Sequence, residues 1–203
     1  MKNVLSKAEQ NRQFLWAYGL AFERASKRRN WNNIFALWLS AASQGHKRAQ
    51  FYVGTCFDHG RGVEKNTAEA FKWYLKAAKQ GHMESQYNVG LFFREGELVS
   101  QDFRKAIKWF KLSAKQGDTE AQRDLGFCYF YGHGVKEDYQ KAVNWYRKAA
   151  EKDDPMALYN LGLCYKHGDG VRQSTHWAKH YFEKAANLGN KNAKRQLKTI
   201  PRT

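Results

Sequence analysis

Three cysteines recur at one position of a repeating sequence, and a thiol column of this kind could form disulfides or bind a metal. Cys56, Cys128 and Cys164 are separated by 72 and 36 residues, so they occupy equivalent points of structural units. Equivalent points of helices packed side by side lie roughly 8–10 Å apart, whereas a disulfide needs Cα atoms within about 7 Å. The thiols are therefore predicted to be buried packing groups, with no disulfide among them.

A pair of histidines four residues apart is the second candidate for chemistry. On a helix, His176 and His180 share one face, where two imidazoles could bind zinc. The catalytic form of this motif has glutamate directly after the first histidine, and Trp177 stands there instead. No serine, cysteine or carboxylate set recurs in a catalytic arrangement. We interpret the pair as part of a solvated face and expect no metal, no cofactor and no enzymatic activity.

Glycine-x-glycine loops raise the possibility of phosphate binding. They occur at 60–62, 132–134 and 168–170. They lack the preceding strand and the third glycine of a dinucleotide-binding fingerprint. Glycine also permits the positive φ angles of tight reversals, so these segments are predicted to be turns between helices.

An internal repeat of 36 residues positions all of these side chains. The repeated columns are Gly54, Gly90, Gly126 and Gly162; Gly60, Gly96, Gly132 and Gly168; Trp73, Trp109 and Trp145, followed by Tyr181; and Ala78, Ala114, Ala150 and Ala186. They divide the chain into repeats 49–84, 85–120, 121–156 and 157–192. A fixed period of this length is typical of a repeat architecture in which each unit contacts its neighbours.

Each repeat is predicted to be a pair of helices. Apolar residues at i, i+4, i+7 and i+8 from Ala49 indicate a first helix of about three turns, starting in the other repeats at Ser85, Ala121 and Ala157. A second helix is predicted from Thr67 to Lys79. One such pair cannot bury its apolar stripes alone, so the pairs must stack. The fold class is therefore all-α, a solenoid of helix-turn-helix repeats in a single domain, 1–203.

The two ends of the chain depart from the repeat. Residues 1–48 are predicted to be an atypical N-terminal capping unit, in which the helix around Trp38 is in near-register and the helix around Phe14 is one residue out of register. Residues 193–203 are predicted to be a C-terminal capping segment, a truncated first helix. Terminal units of such arrays must present a polar outer face.

The chain is strongly basic, with a formal net charge of +16 over 203 residues. Such a charge attracts nucleic acid, anionic lipid or an acidic protein surface. No stretch approaches the roughly 20 apolar residues that cross a bilayer, and the first residues lack the apolar core of a secretory signal. We expect a cytoplasmic protein, or a periplasmic or secreted one if a signal was removed before residue 1.

The repeat at 121–156 carries the pattern by which a family can be recognised: Ala121, Gln122, Leu125, Gly126, Tyr129, Gly132, Gly134, Val135, Lys141, Ala142, Trp145, Tyr146, Lys148, Ala149 and Ala150. This pattern resembles the Sel1-like repeat (SLR) family, a branch of the tetratricopeptide-like solenoids. Leu98 replaces the second loop glycine of its repeat, so that loop is predicted to differ. The resemblance implies a right-handed α/α superhelix, common in bacteria, that serves as a non-enzymatic scaffold or adaptor.

The resemblance also implies where a partner protein binds, because the first helices of such solenoids line a concave groove. The corresponding residues here are Phe51, Thr55, His59, Tyr87, Leu91, Arg94, Arg123, Phe127, Phe130, Tyr131, Tyr159, Lys166 and His167. Tyrosine and arginine are favoured interface anchors, and Phe127, Phe130 and Tyr131 beside Arg94 and Arg123 are the predicted centre. The alternative is that several of these aromatic residues pack inside the stack.

Three partners remain open for a monomeric scaffold of this kind. The first is another protein, including an acidic one. The second is nucleic acid or another polyanion, favoured by the net charge, although the basic residues form no single stripe with stacking aromatics. The third is an acidic toxin or effector that the chain neutralises.

Overall fold

Each repeated helix begins directly after a residue whose side chain caps it. The computed structural model describes residues 6–22 and 30–200, which form eleven α-helices: α1 (Lys7–Phe22), α2 (Trp31–Ser43), α3 (Lys47–His59), α4 (Thr67–Lys79), α5 (Met83–Glu95), α6 (Phe103–Lys115), α7 (Thr119–Tyr131), α8 (Tyr139–Ala150), α9 (Pro155–His167), α10 (Thr175–Asn187) and α11 (Lys191–Leu197). No strand occurs in these residues. The all-α prediction is confirmed.

The capping residues form two columns with the same 36-residue step. The first helices are capped by His46, His82, Asp118, Asp154 and Asn190. The second helices are capped by Asn30, Asn66, Asp102, Asp138 and Ser174. In every case the side chain accepts a hydrogen bond from the backbone N–H three residues later. This satisfies a donor that has no partner within the helix.

The first helices begin two residues before their predicted starts. The predicted starts, Ala49, Ser85, Ala121 and Ala157, are the first buried residues of each helix, whereas α3, α5, α7 and α9 already begin at 47, 83, 119 and 155. The prediction was wrong because the cap lies three residues before the first buried position and the intervening turn is partly exposed. The second helix predicted from Thr67 to Lys79 is confirmed as α4.

Turns with left-handed backbone separate the helices. Gly132, with φ of 69°, ends α7 and donates its N–H to the carbonyl oxygen of Cys128. Asp153, with φ of 57°, is the only non-glycine residue with positive φ in the described part of the chain. Leu98 therefore differs from Gly134, its equivalent one repeat later, which has φ of 69°. The predicted difference of that loop is confirmed.

The glycine column inside the first helices is explained by aromatic packing. Tyr146 of α8 is fully buried, and a Cβ atom placed on Gly126 of α7 would lie 2.5 Å from its Cδ1 and Cε1 atoms. The same arrangement joins Gly54 and Tyr74, at 2.7 Å. A side chain at these positions would push a buried ring out of place, so the close approach of ring and backbone requires glycine.

The helices group into two compact units, unit 1 (Met1–Gln101) and unit 2 (Asp102–Thr203). Unit 1 packs around Trp38 and Val53. Unit 2 packs around Tyr146 and Leu161, with a second cluster around Phe182. Each core is built from the alanine and aromatic columns of the repeat, which confirms stacked helical pairs.

The cysteine column lies inside these cores. Cys56, Cys128 and Cys164 are all buried, as predicted for packing groups. Burial raises the pKa of Cys56 and of Cys164 to about 12. These two thiols therefore stay protonated at neutral pH and are poor nucleophiles and poor metal ligands.

The ends of the array show how the repeat is modified. Phe14 of α1 stacks on the His46 ring with centroids 4.7 Å apart, and Phe51 of α3 stacks on His82 at the same 4.7 Å. Phe14 precedes His46 by 32 residues, whereas Phe51 precedes His82 by 31 residues. The helix around Phe14 is therefore displaced by the predicted one residue relative to the repeat. At the other end α11 has seven residues and one buried side chain, Ala193.

Candidate protein-binding surface

Six rings lie close together where α7 ends in unit 2. Three belong to the last two turns of α7, one begins α6, one lies in the loop after α7, and one begins α8. We call this group the Phe127 cluster and define it as Phe103, Phe127, Phe130, Tyr131, His133 and Tyr139.

Ring contacts connect all six members of the Phe127 cluster. Phe127 and Tyr131 have centroids 4.5 Å apart, and Tyr131 lies 5.0 Å from Phe130. Phe130 lies 5.0 Å from Tyr139. His133 stacks on Phe103 at 4.9 Å, and its ring lies 5.6 Å from Phe127. Pairs at these distances stabilise each other beyond their buried area, so the rings form a preorganised surface.

The helical period explains why part of this cluster faces water. Phe127 and Tyr131 are four residues apart and therefore lie on one face of α7, while Leu125 and Cys128 turn toward the core. Phe127 is 42% exposed and Tyr131 is 56% exposed. Large apolar side chains that stay accessible as a group, and not singly, are typical of an interaction site.

Arg123, predicted to lie at the centre of the binding surface, is engaged within unit 2. Its Nε atom donates to Oδ1 of Asp124 at 3.1 Å, and its Nη1 atom donates to Oδ2 of Asp154 at 3.2 Å. Asp154 is the cap of α9. The guanidinium therefore holds α7 against the start of α9, and its charge is balanced by two carboxylates.

Phe51 and Thr55 are used for packing in unit 1. The Phe51 ring lies 4.7 Å from His82 and 5.9 Å from Tyr74. Thr55 donates its hydroxyl hydrogen to the carbonyl oxygen of Tyr52 at 2.8 Å. Both residues are half-buried, so they offer a partner little free surface.

Among the other predicted contact residues of unit 1, only His59 is more accessible than Phe51 and Thr55. His59 is exposed, and Tyr87 is half-buried. Leu91 lines a cavity of about 220 Å³ whose wall also carries three carboxylates. Arg94 donates to the carboxylate of Glu95 at 3.0 Å. These side chains do not form a ring cluster like that in unit 2.

The last predicted residues lie in the fourth repeat. Tyr159 is half-buried, with its ring 5.8 Å from Phe182. Lys166 donates to the side-chain oxygen of Gln196 at 2.7 Å. His167 is exposed. Of the predicted set, Phe127, Phe130 and Tyr131 are thus the residues that the fold brings together at the surface.

Three members of the Phe127 cluster could not be selected from the first-helix column. Phe103 and Tyr139 begin second helices, and His133 lies in a loop. A signal was present in the sequence, because Trp31, Phe103 and Tyr139 share one column. That column alone does not show which of the three rings meets other exposed rings.

The two histidines considered as zinc ligands both lie on α10. His176 and His180 flank Trp177, with ring centroids 5.5 and 5.4 Å from the indole. Within residues 6–22 and 30–200, no three or more histidine, cysteine, aspartate or glutamate side chains gather as a metal site would require.

Over the same residues, no helix combines the length and apolar character needed to cross a membrane.

Comparison with known families identifies the repeat. The family model described as Sel1 repeat matches residues 47–82, 84–118, 119–154 and 155–190. The chain belongs to the Sel1 repeat family. The first, third and fourth matches start two residues earlier than the repeats 49–84, 121–156 and 157–192 that the glycine columns define, and the second match starts one residue earlier than the repeat 85–120. This agrees with the observed starts of the first helices.

Solved structures of other Sel1 repeat proteins share the fold. A protective antigen of uropathogenic Escherichia coli, c5321, has 27% identity and a TM-score of 0.87 over 96% of this chain, which spans 41% of the length of that antigen. A Sel1 repeat protein from Oxalobacter formigenes has 33% identity and a TM-score of 0.82, covering 91% of this chain and 75% of its own.

A third solved structure belongs to a protein with a stated role. The immunity protein Pa5087 from Pseudomonas aeruginosa has 21% identity and a TM-score of 0.55, over 93% of this chain and 69% of that one. A likeness at this identity shows the fold alone. The comparison with curated protein sequences gave no match.

Proposed function

We propose that this Sel1 repeat protein is a non-enzymatic scaffold that binds a partner protein through the Phe127 cluster. Sel1 repeats are a protein-interaction type of fold. The observation that carries the proposal is the group of six connected rings at the end of α7, with Phe127 and Tyr131 accessible.

The chemistry of the cluster suits a protein partner. Phenylalanine contributes apolar contact area, while the tyrosine hydroxyl and the imidazole of His133 contribute hydrogen bonds at the edge. Tyrosine loses little conformational entropy on binding, and aromatic residues dominate the energetics of interfaces. The mutual ring contacts further reduce that loss, because the rings are already ordered before a partner arrives.

Affinity capture with matched variants tests this proposal. The tagged full-length chain, the Phe127→Ala/Tyr131→Ala variant and the control Leu112→Ala are each incubated with native lysate of the source organism. Leu112 is a large apolar residue of unit 2 outside the cluster and is 45% exposed. Captured proteins are compared by mass spectrometry, and captured nucleic acid by staining, at low and physiological salt.

The expected result is a protein that the wild type and the control retain and that the double variant loses by about tenfold or more, equivalent to at least about 1.4 kcal/mol. Far-UV circular dichroism must show that the helices of all three proteins are intact. Equal capture by the double variant would remove the Phe127 cluster as the binding surface. Retention of nucleic acid that declines steeply with salt, without a specific protein, would favour a polyanion-binding function instead.

A further inference from the structure

A second candidate site in unit 2 is an open cavity between α8, the end of α9 and the start of α10. Its volume is about 640 Å³, within the range of roughly 300–1,000 Å³ that is usual for ligand pockets. The residues that define it here are Gln140, Asn144, Arg147, Tyr165, Arg172 and Trp177. We call it the Arg147 cavity. None of these six residues belongs to the Phe127 cluster.

The charge of the Arg147 cavity has one sign. Two guanidinium groups, those of Arg147 and Arg172, line it, and no lining residue carries a carboxylate. Arg147 is oriented by one hydrogen bond, from its Nη2 atom to the hydroxyl oxygen of Tyr165 at 3.0 Å. Its other N–H groups can bind an anion, and the planar guanidinium matches the two oxygens of a carboxylate.

An aromatic wall lies beside these charges. The indole of Trp177 is 45% exposed, and its centroid lies 6.2 Å from the Tyr165 ring. Tyr165 in turn stacks on Tyr181 at 5.5 Å. An accessible indole held beside arginine can cover an apolar side chain of a ligand while its neighbours bind charge.

The third wall is a polar stripe on α8. Gln140, Asn144 and Arg147 follow the i, i+4, i+7 spacing that places residues on one helical face, and all three are exposed. Each side-chain amide offers a donor and an acceptor. That pair of groups is complementary to the N–H and C=O of a peptide backbone.

The equivalent positions one repeat earlier carry other residue types than the arginine and tryptophan of the Arg147 cavity. There, Lys111 and Lys141 stand in the columns of Arg147 and Trp177. Their ammonium groups lie 5.7 and 5.8 Å from the ring of Tyr129, and Lys141 also pairs with Asp138 at 2.7 Å. The lysines are thus engaged with the Tyr129 ring. One repeat later the guanidinium of Arg147 and the indole of Trp177 instead line an open cavity.

We propose that the Arg147 cavity binds an acidic, aromatic-containing segment of a partner protein. Its carboxylates pair with Arg147 and Arg172, its backbone meets the amides of α8, and its apolar side chain lies against Trp177. Arginine, tyrosine and tryptophan are the residue types that dominate binding energy at protein interfaces, and arginine clusters recognise acidic motifs. The neutral amides that line the cavity with the two arginines favour a peptide over a nucleic-acid backbone, which binds in a positively charged groove.

Fluorescence anisotropy with a defined probe tests this site on the full-length chain. The probe is a fluorescein-labelled peptide of sequence Gly-Asp-Glu-Phe-Asp-Glu-Gly, and the comparison peptide replaces each acidic residue by its amide. The variant Arg147→Gln/Arg172→Gln removes the two guanidinium groups. The matched control Lys148→Gln/Lys179→Gln removes the same net charge from exposed positions of α8 and α10 outside the cavity.

The expected result is that the wild type and the lysine control bind the acidic probe alike, while the arginine variant and Trp177→Ala each bind it about tenfold or more weakly. The amide peptide should bind none of them measurably. If the glutamine variant does not fold by circular dichroism, Arg147→Lys/Arg172→Lys replaces it and should still weaken binding, because lysine lacks the planar fork.

Three outcomes would overturn the proposal. The first is no binding of the acidic probe by the wild type. The second is an equal loss in the lysine control, which would mean that net charge alone attracts the probe. The third is tighter binding of a mixed-sequence single-stranded oligonucleotide with the same dependence on Arg147 and Arg172. Binding of the probe by the Phe127→Ala/Tyr131→Ala variant keeps this result separate from the fate of the Phe127 cluster.

Discussion

Unit 1 and unit 2 cap their first helices with different chemistry. In unit 1 the caps are His46 and His82, and each imidazole also stacks on a phenylalanine. In unit 2 the caps of α7 and α9 are Asp118 and Asp154, and the second of these accepts a hydrogen bond from Arg123. Histidine is an unusual cap, whereas aspartate is a favoured one.

The comparison shows that the N-terminus of a helix can be capped either by a neutral histidine stacked on a ring or by an aspartate paired with an arginine. The Nε2 atom of His46 lies 2.8 Å from Oδ1 of Asn11 and must carry the hydrogen, which leaves the lone pair on Nδ1 to accept from the N–H of Ala49. That neutral ring can stack on an aromatic neighbour. Asp154 instead places negative charge at the positive end of a helix, and an arginine balances it. His46 and His82 are thus accompanied by a stacked phenylalanine, and Asp154 by an arginine.

The largest expected effect tests what the two units share, which is the packing of a ring on a glycine. We predict that Gly126→Ala in unit 2 and Gly54→Ala in unit 1 each lower the free energy of unfolding by about 1–3 kcal/mol, because a methyl group collides with a buried ring. Urea denaturation measures this. Gly19→Ala, at an exposed position of α1 with nothing within 4 Å, should instead stabilise by about 0.5–1 kcal/mol. An unchanged midpoint for Gly126→Ala would contradict the packing argument.

The second prediction separates the cap from the ion pair in unit 2. Asp154→Ala should cost about 1–2 kcal/mol, because it removes a helix cap and leaves the partly buried Arg123 with one carboxylate fewer. Asp154→Asn keeps the cap and should cost less. His82→Asn in unit 1, which also keeps a cap, provides the comparison without an ion pair. Urea titrations at low and high salt measure all three, and a loss for Asp154→Asn as large as for Asp154→Ala would mean that the cap contributes nothing.

The smallest expected effect is the acid sensitivity of unit 1. Burial lowers the pKa of His46 and of His82 below the ordinary imidazole value of 6.5, and for His82 the nearby Glu84 carboxylate partly opposes this. Protons therefore bind preferentially to the unfolded chain, so stability is full above about pH 6.5 and declines as the pH falls below it. Protonation also removes the Nδ1 acceptor and places positive charge at a helix N-terminus.

The variant His46→Asn/His82→Asn isolates this effect. Melting temperatures are compared at pH 7.5 and pH 5.5 for the wild type, the double variant and a control, His59→Asn, at an exposed position of the same unit. The double variant should lose less stability on acidification than the other two proteins. An identical decline in all three would show that the histidine caps are not responsible.

Most of the fold could be predicted from residue types and spacing. The sequence correctly predicted the 36-residue step, the second helix at Thr67–Lys79 and the irregular loop at Leu98. These features depend on the helical period, on glycine and on apolar stripes, which are local properties of the sequence. The starts of the first helices were not predicted correctly, since Lys47 and Thr119 precede the first buried residue and only the hydrogen bonds of His46 and Asp118 show that the helix has begun.

The candidate site was predicted less completely. Phe127, Phe130 and Tyr131 follow from the first-helix column, whereas Phe103, His133 and Tyr139 come from other elements and join them through chain reversal. Arg147, Arg172 and Trp177 likewise come from two helices and a loop. Their association depends on contacts between elements, which no local pattern contains.

The sequence by itself determined the repeat, the helical pairs and the buried columns, because these depend on side chains a few residues apart and on a period that recurs. Only the tertiary structure decided which of the predicted groove residues are accessible. Phe51 is engaged because His82 lies against it, and Arg123 because Asp154 accepts its hydrogen bond. Phe127 is exposed because its neighbours are other rings that leave one face open. The exposed fraction of a side chain therefore depends on its neighbours in the fold as much as on its own residue type.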